Sequence, residues 1–357
     1  MMPRSLALPV LAIIGAAGWI ATAYWNAHAA LLAYLSILLP FIEIALGALF
    51  VLMLGYLVPG RWFEIWRIPL AAASLTLPVL GLLFLPVLIG LPALYSWAAE
   101  PLQLHGFKAV YLSPPIFILR TIFYFCVWSV IAFRSIRASD GQRIASWGLV
   151  VYALTGSLAG VDWIESLTPE FHSSVFGLLF LSSQVLAGLS FALAVFPLIY
   201  RDERPLTLHG QLLISCILLW GYLHGMQYII IWAANKPDEV RWYLDRSTGG
   251  WAAVTWLVYL SQFVLPFLAV LLARVRRSIA AITVIAASFL VIRVIESFWF
   301  VLPGQKFDLS ILLPAAVFAF LFCASVFWMS FDAALEYRRH GGRWLTPFWP
   351  GRKSKAG

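Results

Sequence analysis

Seven ionisable side chains stand inside stretches that are otherwise apolar enough to sit in lipid: Glu43, Arg120, Asp162, Glu165, His224, Arg293 and Glu296. A charge at the centre of a membrane helix costs about 2.5–3.5 kcal/mol on insertion scales, so each of these needs a partner or a task. Two chemistries fit the set. In one, Glu43, Asp162, Glu165, His224 and Glu296 form a proton relay, linked by the hydrogen-bonding side chains Gln227, Tyr228, Ser182, Ser183 and Gln184. In the other they are ion pairs, with Arg293 neutralising Glu296 three residues on and Arg120 meeting Asp162 from an adjacent segment. Glu43 has no basic residue near it on its own segment, which favours the proton-carrying reading for that acid.

Covalent and metal chemistry find no support. There is no glycine-rich phosphate loop and no nucleophile elbow. Cys126, Cys216 and Cys323 all fall in apolar runs, form no C-x-x-C pattern and read as small core residues. His209 and His224 share one segment, but the remaining histidines lie at segment ends or in loops, which excludes bis-histidine haem ligation. No His, Cys and carboxylate set has metal-ligand spacing.

The elements that must position these residues follow from composition. Of 357 residues, 62% are hydrophobic and 11% charged, and mean hydropathy is +0.89; a soluble domain carries roughly 25% charged residues. This predicts an all-α polytopic membrane protein embedded in the lipid bilayer. Ten apolar runs reach the roughly 20 residues that a 30 Å hydrocarbon core requires: 5–24, 30–58, 68–94, 114–135, 144–166, 175–200, 207–234, 250–273, 278–302 and 309–334. The first is too long in its apolar core for a signal peptide and reads as an uncleaved helix. On this register Glu43 lies roughly 20 Å along the second span, near the midplane.

The net charge of +8 belongs to the loops and reads as a topology signal, not as a nucleic-acid surface. Of 24 Lys and Arg, 17 fall on the side of the amino terminus and five, Lys108, Lys236, Arg241, Arg246 and Lys306, on the other. By the positive-inside rule both termini are cytoplasmic. The longest loops, 95–113 and 235–249, are then outside and too short for a soluble domain, so any soluble, cofactor-bearing part belongs to another chain. Their aromatics, Trp97, Tyr111, Trp242, Tyr243 and Trp251, suit either an interfacial belt or a partner's docking surface.

One stretch organises the middle of the chain. In Gly160-Val-Asp-Trp-Ile-Glu-Ser-Leu-Thr-Pro-Glu-Phe-His-Ser-Ser-Val-Phe-Gly177 a span ends on two acids and the next begins almost at once. Asp162 and Glu165 share a face if the helix continues, Pro169 stops it, and Ser173 or Ser174 can cap its successor. Asp162-Trp-Ile-Glu-Ser at the end of span five matches Arg293-Val-Ile-Glu-Ser at the end of span nine, each followed by a proline, Pro169 and Pro303. Four spans separate the copies, so the repeat predicts two parallel four-helix bundles, spans 2–5 (residues 29–172) and 6–9 (173–303). Span one (1–28) and span ten with its basic tail (304–357) are peripheral. The same equivalence predicts that Asp162 and Arg293 pair across the interface between bundles.

The 160–177 stretch resembles the "DW-x-x-SL-x-P-x-x-x-ST-x-F-G" signature of the second large membrane subunit of alternative complex III, a bacterial quinol:cytochrome c oxidoreductase. The segment Trp220 to Arg246, followed by Gly249-Gly-Trp251, is similar to that subunit's "SQY-x-x-IWY-x-N-x-P-E-E-x-x-W-Y" segment. Gly47-Ala-Leu-Phe50, Lys108 with Tyr111-Leu-Ser-Pro114, and Arg293 to Trp299 agree as well. This family groups with the NrfD/PsrC-like polysulfide-reductase membrane subunits, built as two four-helix bundles with flanking helices. The resemblance implies a seat in the bacterial inner membrane beside a sister NrfD/PsrC-like membrane subunit, a periplasmic iron–sulfur subunit and c-type cytochrome subunits, with a terminal oxidase as a further partner. Haem c and iron–sulfur clusters then sit in those partners. This chain binds none of them and leaves room for a quinone. Glu165 departs from the family's uncharged residue, and Met226-Gln227 from its Ser-Gln. Two other readings stay open: the membrane anchor of a molybdopterin oxidoreductase, and a proton-coupled secondary transporter. Against the transporter, Pro78 and Pro86 interrupt span three only, with no equivalent broken span.

Overall fold

A computed structural model of the chain describes residues 4–99, 106–137, 141–199 and 207–339. Ten helices in it are long and apolar enough to cross a membrane: Ala7–Trp25, Ala27–Leu57, Trp62–Ile89, Pro114–Arg137, Gly141–Leu167, Phe176–Ile199, Leu208–Ala234, Gly250–Leu271, Ile279–Val301 and Leu309–Glu336, numbered here as spans one to ten. No strand occurs among the described residues. The chain is an all-α polytopic membrane protein. The loop holding Arg201 and Arg204 and most of the basic tail, both used for orientation, lie outside the described residues.

Spans two and six are the most buried, and they touch. Lipid tails give apolar helices no hydrophobic reason to associate, so membrane helices gain contact through close packing at small residues. Gly47 and Gly188 provide that here. A Cβ on Gly47 would lie 1.7 Å from the Gln184 carbonyl oxygen, and one on Gly188 would lie 2.2 Å from the Ala48 nitrogen. Around this crossing, spans three and five pack on span two, with span four against span five; spans seven and nine flank span six and close on span eight. Span nine also reaches across to span two, and spans one and ten pack as a pair along span two.

Proline shapes two spans. Span three is a chain of short helices, Arg61–Ser74, Leu77–Leu83, Leu85–Ile89 and Leu91–Leu94, each later one beginning with a Leu-Pro pair. A proline lacks the N–H and clashes with the carbonyl four residues back, so the helix restarts at each pair. The freed carbonyls must be satisfied where no water reaches. Tyr34 OH donates to the Leu83 carbonyl at 2.7 Å, while Thr76 Oγ1 and Ser74 Oγ add second donors to the carbonyls of Ala73 at 2.7 Å and Ala71 at 2.9 Å, which satisfies the hydroxyls themselves. In span eight the device differs: a π-helical turn, Leu260–Val264, absorbs Pro266 without a break.

The loop after span seven folds as a helix, Pro237–Ser247, with proline at its start and Asp238 and Glu239 in its first turn. Arg246 fastens its far end to span nine. Its guanidinium donates to the carbonyls of Trp299 at 3.1 Å, Phe300 at 2.8 Å and Trp242 at 2.8 Å, and it lies 3.4 Å from the centre of the Trp242 ring. The last carbonyls of two helices thus find donors. Burial pushes Arg246 down to about 9, which leaves it protonated at neutral pH. Two residues expected at an aromatic belt are interior instead. Trp97 packs on Tyr95 and Phe117, and Trp242 stacks on Phe171 at 4.8 Å, so both rings fill gaps between helix ends. Cys126, expected in the core, is exposed on span four, whereas Cys323 is buried.

The glycine crossing generates a prediction. Gly47→Ala forces the Gln184 backbone to move and should lower the melting temperature of the purified protein by an amount matching about 1–3 kcal/mol of overpacking. Gly250→Ala, whose new Cβ meets nothing within 4 Å, should leave it unchanged.

Candidate functional site

The deepest charges converge on Arg293. This side chain, 1% exposed, projects from span nine towards span two and grips Glu43 with two parallel bonds, Nε and Nη2 donating to the two carboxylate oxygens at 2.9 and 2.8 Å. Its remaining nitrogen, Nη1, donates to Glu296 one turn along the same helix. The forked guanidinium matches a carboxylate's two oxygens, and this bidentate geometry is the strongest form of the pair. Glu43 and Glu296 are both fully buried. One arginine therefore serves two carboxylates, one from each half of the chain.

Glu296 collects three further neighbours. Gln262, on the π-turn of span eight, donates its amide to it, and Trp220 Nε1 on span seven donates at 3.2 Å. The third is His224, whose Nε2 lies 3.2 Å from Glu296 Oε1. Its other ring nitrogen, Nδ1, lies 2.9 Å from the Trp220 carbonyl oxygen, which can only accept, so Nδ1 carries a hydrogen. A neutral imidazole then presents a lone pair to a carboxylate. The contact becomes favourable only when a proton sits between them, on His224 or on Glu296. Charge balance points the same way. With that proton the cluster of Glu43, Glu296, Arg293 and His224 is neutral; without it the cluster carries one buried negative charge, which low dielectric penalises. The 3.2 Å approach of His224 Nε2 to Glu296 Oε1 makes this pair a candidate position for a proton, with no aligned hydrogen bond to Nε2 among the described residues.

Asp162 belongs to a different set. Arg120 Nε and Nη2 both donate to it at 2.9 Å, and Tyr124 OH adds a third bond at 2.9 Å. Arg120 also caps the Tyr111 carbonyl at 2.8 Å and stands 3.8 Å from the centre of that ring. With three donors on Asp162 this group is a closed pin between spans four and five. The expected Asp162–Arg293 pair is absent, because each has an opposite charge within its own bundle and Arg293 already serves two acids.

Glu165 parts company with Asp162 although only three residues separate them. The α-helix stops at Trp163 and Glu165 falls in a 3-10 turn, Glu165–Leu167, since Pro169 clashes with the carbonyl of Glu165 and disfavours helix at Thr168. The acid turns away to accept from the Ser173 backbone N–H at 3.2 Å through Oε1. Oε2 has no hydrogen-bond partner among the described residues. Glu165 lines a cavity of about 230 Å³ together with Lys108, Tyr111, Pro169 and His172. At its rim Lys108 Nζ donates to the Pro169 carbonyl at 2.5 Å and to His172 Nε2 at 3.3 Å. From this cavity Ser173 reaches span seven, where its hydroxyl donates to Gln227 Oε1 at 3.1 Å. Gln227 and His224 are three apart on span seven and share a face. Beyond Glu43, Tyr152 OH donates at 2.5 Å to Gln184, a neighbour at the glycine crossing.

Of the expected site residues, Glu43, Arg293, Glu296 and His224 come together, Asp162 and Arg120 pair apart from them, and Glu165 stays outside the cluster, bonded to the Ser173 backbone. Trp220 and Gln262 were missed as partners of Glu296. Trp220 stands one helical turn before His224, and that spacing was the available signal. Gln262 had none, because only the π-turn directs it inward. Among the described residues no group of three or more His, Cys, Asp or Glu could hold a metal ion.

Double-variant cycles test this wiring. Arg293→Gln strands Glu43 and should cost on the order of 3–5 kcal/mol, while the Glu43→Gln/Arg293→Gln pair should cost less than the sum of its singles. Asp162→Asn with Arg293→Gln should be additive to within about 0.5 kcal/mol, since they share no partner. Melting temperatures of the purified protein read both. No protein-family model matches the chain, and no curated protein matches it.

Proposed function

We propose that this chain is a membrane subunit of a bacterial quinol:cytochrome c oxidoreductase of the alternative complex III type, and that it carries a proton path beside a sister subunit that oxidises quinol. The motif resemblances at 160–177 and 220–251 support the complex. One observation supports the proton path: the His224–Glu296 contact, which requires a proton and sits on the Arg293–Glu43 pair. In this reading both termini are cytoplasmic and the Glu165 cavity opens to the outer face. Glu165 exchanges protons with outside water there, since it lines that cavity and one of its carboxylate oxygens is without a hydrogen-bond partner among the described residues. Ser173 and Gln227 link it to His224 and Glu296. Arg293 is shared by Glu43 and Glu296, so a proton arriving on either acid leaves the guanidinium to the other, and Glu43 is the innermost acid of the path. This assigns the chain a proton-conducting role with no covalent chemistry of its own.

Two experiments bear on the two halves of the proposal. A protein inventory of the detergent-purified complex should contain a c-type cytochrome, an iron–sulfur chain and a second membrane subunit of this kind. A molybdopterin-bearing chain in their place would move the protein to the anchor role. In proteoliposomes, Glu43→Gln keeps shape and hydrogen bonding but cannot ionise. The variant should assemble and oxidise quinol while proton movement per electron falls to that of the quinol chemistry alone; full coupling would refute the role of Glu43.

A further inference from the structure

A second, larger cavity lies away from this path. It has a volume of about 590 Å³, within the usual range for small-molecule sites, and opens between spans seven and eight beneath the Pro237–Ser247 helix. Its lining holds three phenols, Tyr228, Tyr243 and Tyr259, the cation Arg246, and the indoles of Trp232 and Trp256. Those two indoles are 70% and 68% exposed, so the cavity opens sideways on the face that meets lipid. It sits where span seven ends and span eight begins, the level of a bilayer at which tryptophan and head groups meet.

The polar groups of this cavity are all of one kind. Tyr228 and Tyr259 have no hydrogen-bond partner among the described residues, and the Tyr228 and Tyr243 rings meet edge to face at 5.2 Å. Arg246 makes no ion pair within 4 Å among the described residues; carbonyl oxygens and the Trp242 ring hold it in place, so its charge is fixed and only partly offset by the neighbouring Asp245. No acid lines the cavity. Hydroxyl donors and a cation only partly offset in an apolar setting select a head that accepts hydrogen bonds and is negative.

We propose that this cavity is a specific site for an anionic phospholipid, its phosphate facing the three phenols and Arg246 and its chains leaving sideways past Trp232 and Trp256. The lipid would wedge spans seven and eight and the Pro237–Ser247 helix into one unit. That helix carries Tyr243, whose ring meets Tyr228 of span seven edge to face at 5.2 Å, so the bound lipid would also steady the contact between helix and span.

Gly225 supplies the test, because it lines the cavity and a Cβ there meets nothing within 4 Å. Gly225→Phe therefore fills the space without a clash. The purified, delipidated complex is titrated with phosphatidylglycerol and with phosphatidylcholine and followed by native mass spectrometry. The wild type should retain one phosphatidylglycerol at least about tenfold more tightly than phosphatidylcholine. Gly225→Phe should abolish that retention with no fall in melting temperature. Tyr228→Phe with Tyr259→Phe should narrow the preference, keeping the cavity but removing two donors. Should Gly225→Phe not assemble, Ala252→Leu fills the same cavity from span eight and is read the same way. Equal retention of the two lipids, unchanged phosphatidylglycerol binding in the filled variants, or a neutral lipophile in the cavity of the isolated complex would each overturn the proposal.

Discussion

A guanidinium buried between two carboxylates is what this structure must accommodate before anything else. Removing Arg293, Glu43 and Glu296 from water costs several kcal/mol per ion, and only close, well-aligned bonds among them recover it. The recovery requires span nine to lie against span two, since Glu43 and Arg293 are 250 residues apart in the chain. It also requires span eight to turn its amide inward at Gln262, and span seven to present Trp220 and His224 together. Four spans are therefore held in register by one cationic side chain and the donors around it.

The crossing of spans two and six makes this register attainable. Glu43 precedes Gly47 by four residues, and Gln184 precedes Gly188 by four, so the two helices meet through equivalent positions. Their polar residues have diverged. Glu43 is ionisable and faces Arg293, whereas Gln184 is neutral and takes a hydrogen bond from Tyr152. The two span ends differ in a similar way: Arg293 in span nine takes the sequence position that Asp162 takes in span five, while Glu296 and Glu165 are both acids. In span nine the helix runs on past Glu296, which keeps that acid beside its arginine; in span five the helix stops, and Glu165 is released to a cavity. A difference in where a helix ends thus separates an acid paired with arginine from one that is buried with an oxygen left unpartnered among the described residues.

Polar groups outside the cluster follow the same economy of satisfied donors. Arg120 and Asp162 exhaust each other with help from Tyr124 and Tyr111, which suits a fastening. Arg246 satisfies carbonyls at the ends of two helices and keeps its charge. The first arrangement is closed and the second open, and that contrast separates a structural pin from a candidate ligand contact.

Composition and apolar run length were sufficient to establish a helical membrane protein with ten spans, because the cost of burying backbone and charge in lipid leaves no other fold for such a chain. The breaks in span three at Pro78 and Pro86 were legible for the same reason, each proline acting on its own turn. The pairing of Arg293 with Glu296 and of Arg120 with Asp162 could be listed from spacing and adjacency. Which alternatives would prevail could not, since side chains 250 residues apart meet only when helices cross, and the crossing depends on where glycines permit contact. For that reason Glu43, with no cation on its own helix, found Arg293, while Asp162, which the repeat directed to Arg293, did not. The partition of the two acids at 162 and 165, the inward turn of Gln262 and the approach of His224 to Glu296 were decided by the tertiary structure alone, through the positions of helix ends and the donors brought to each carboxylate.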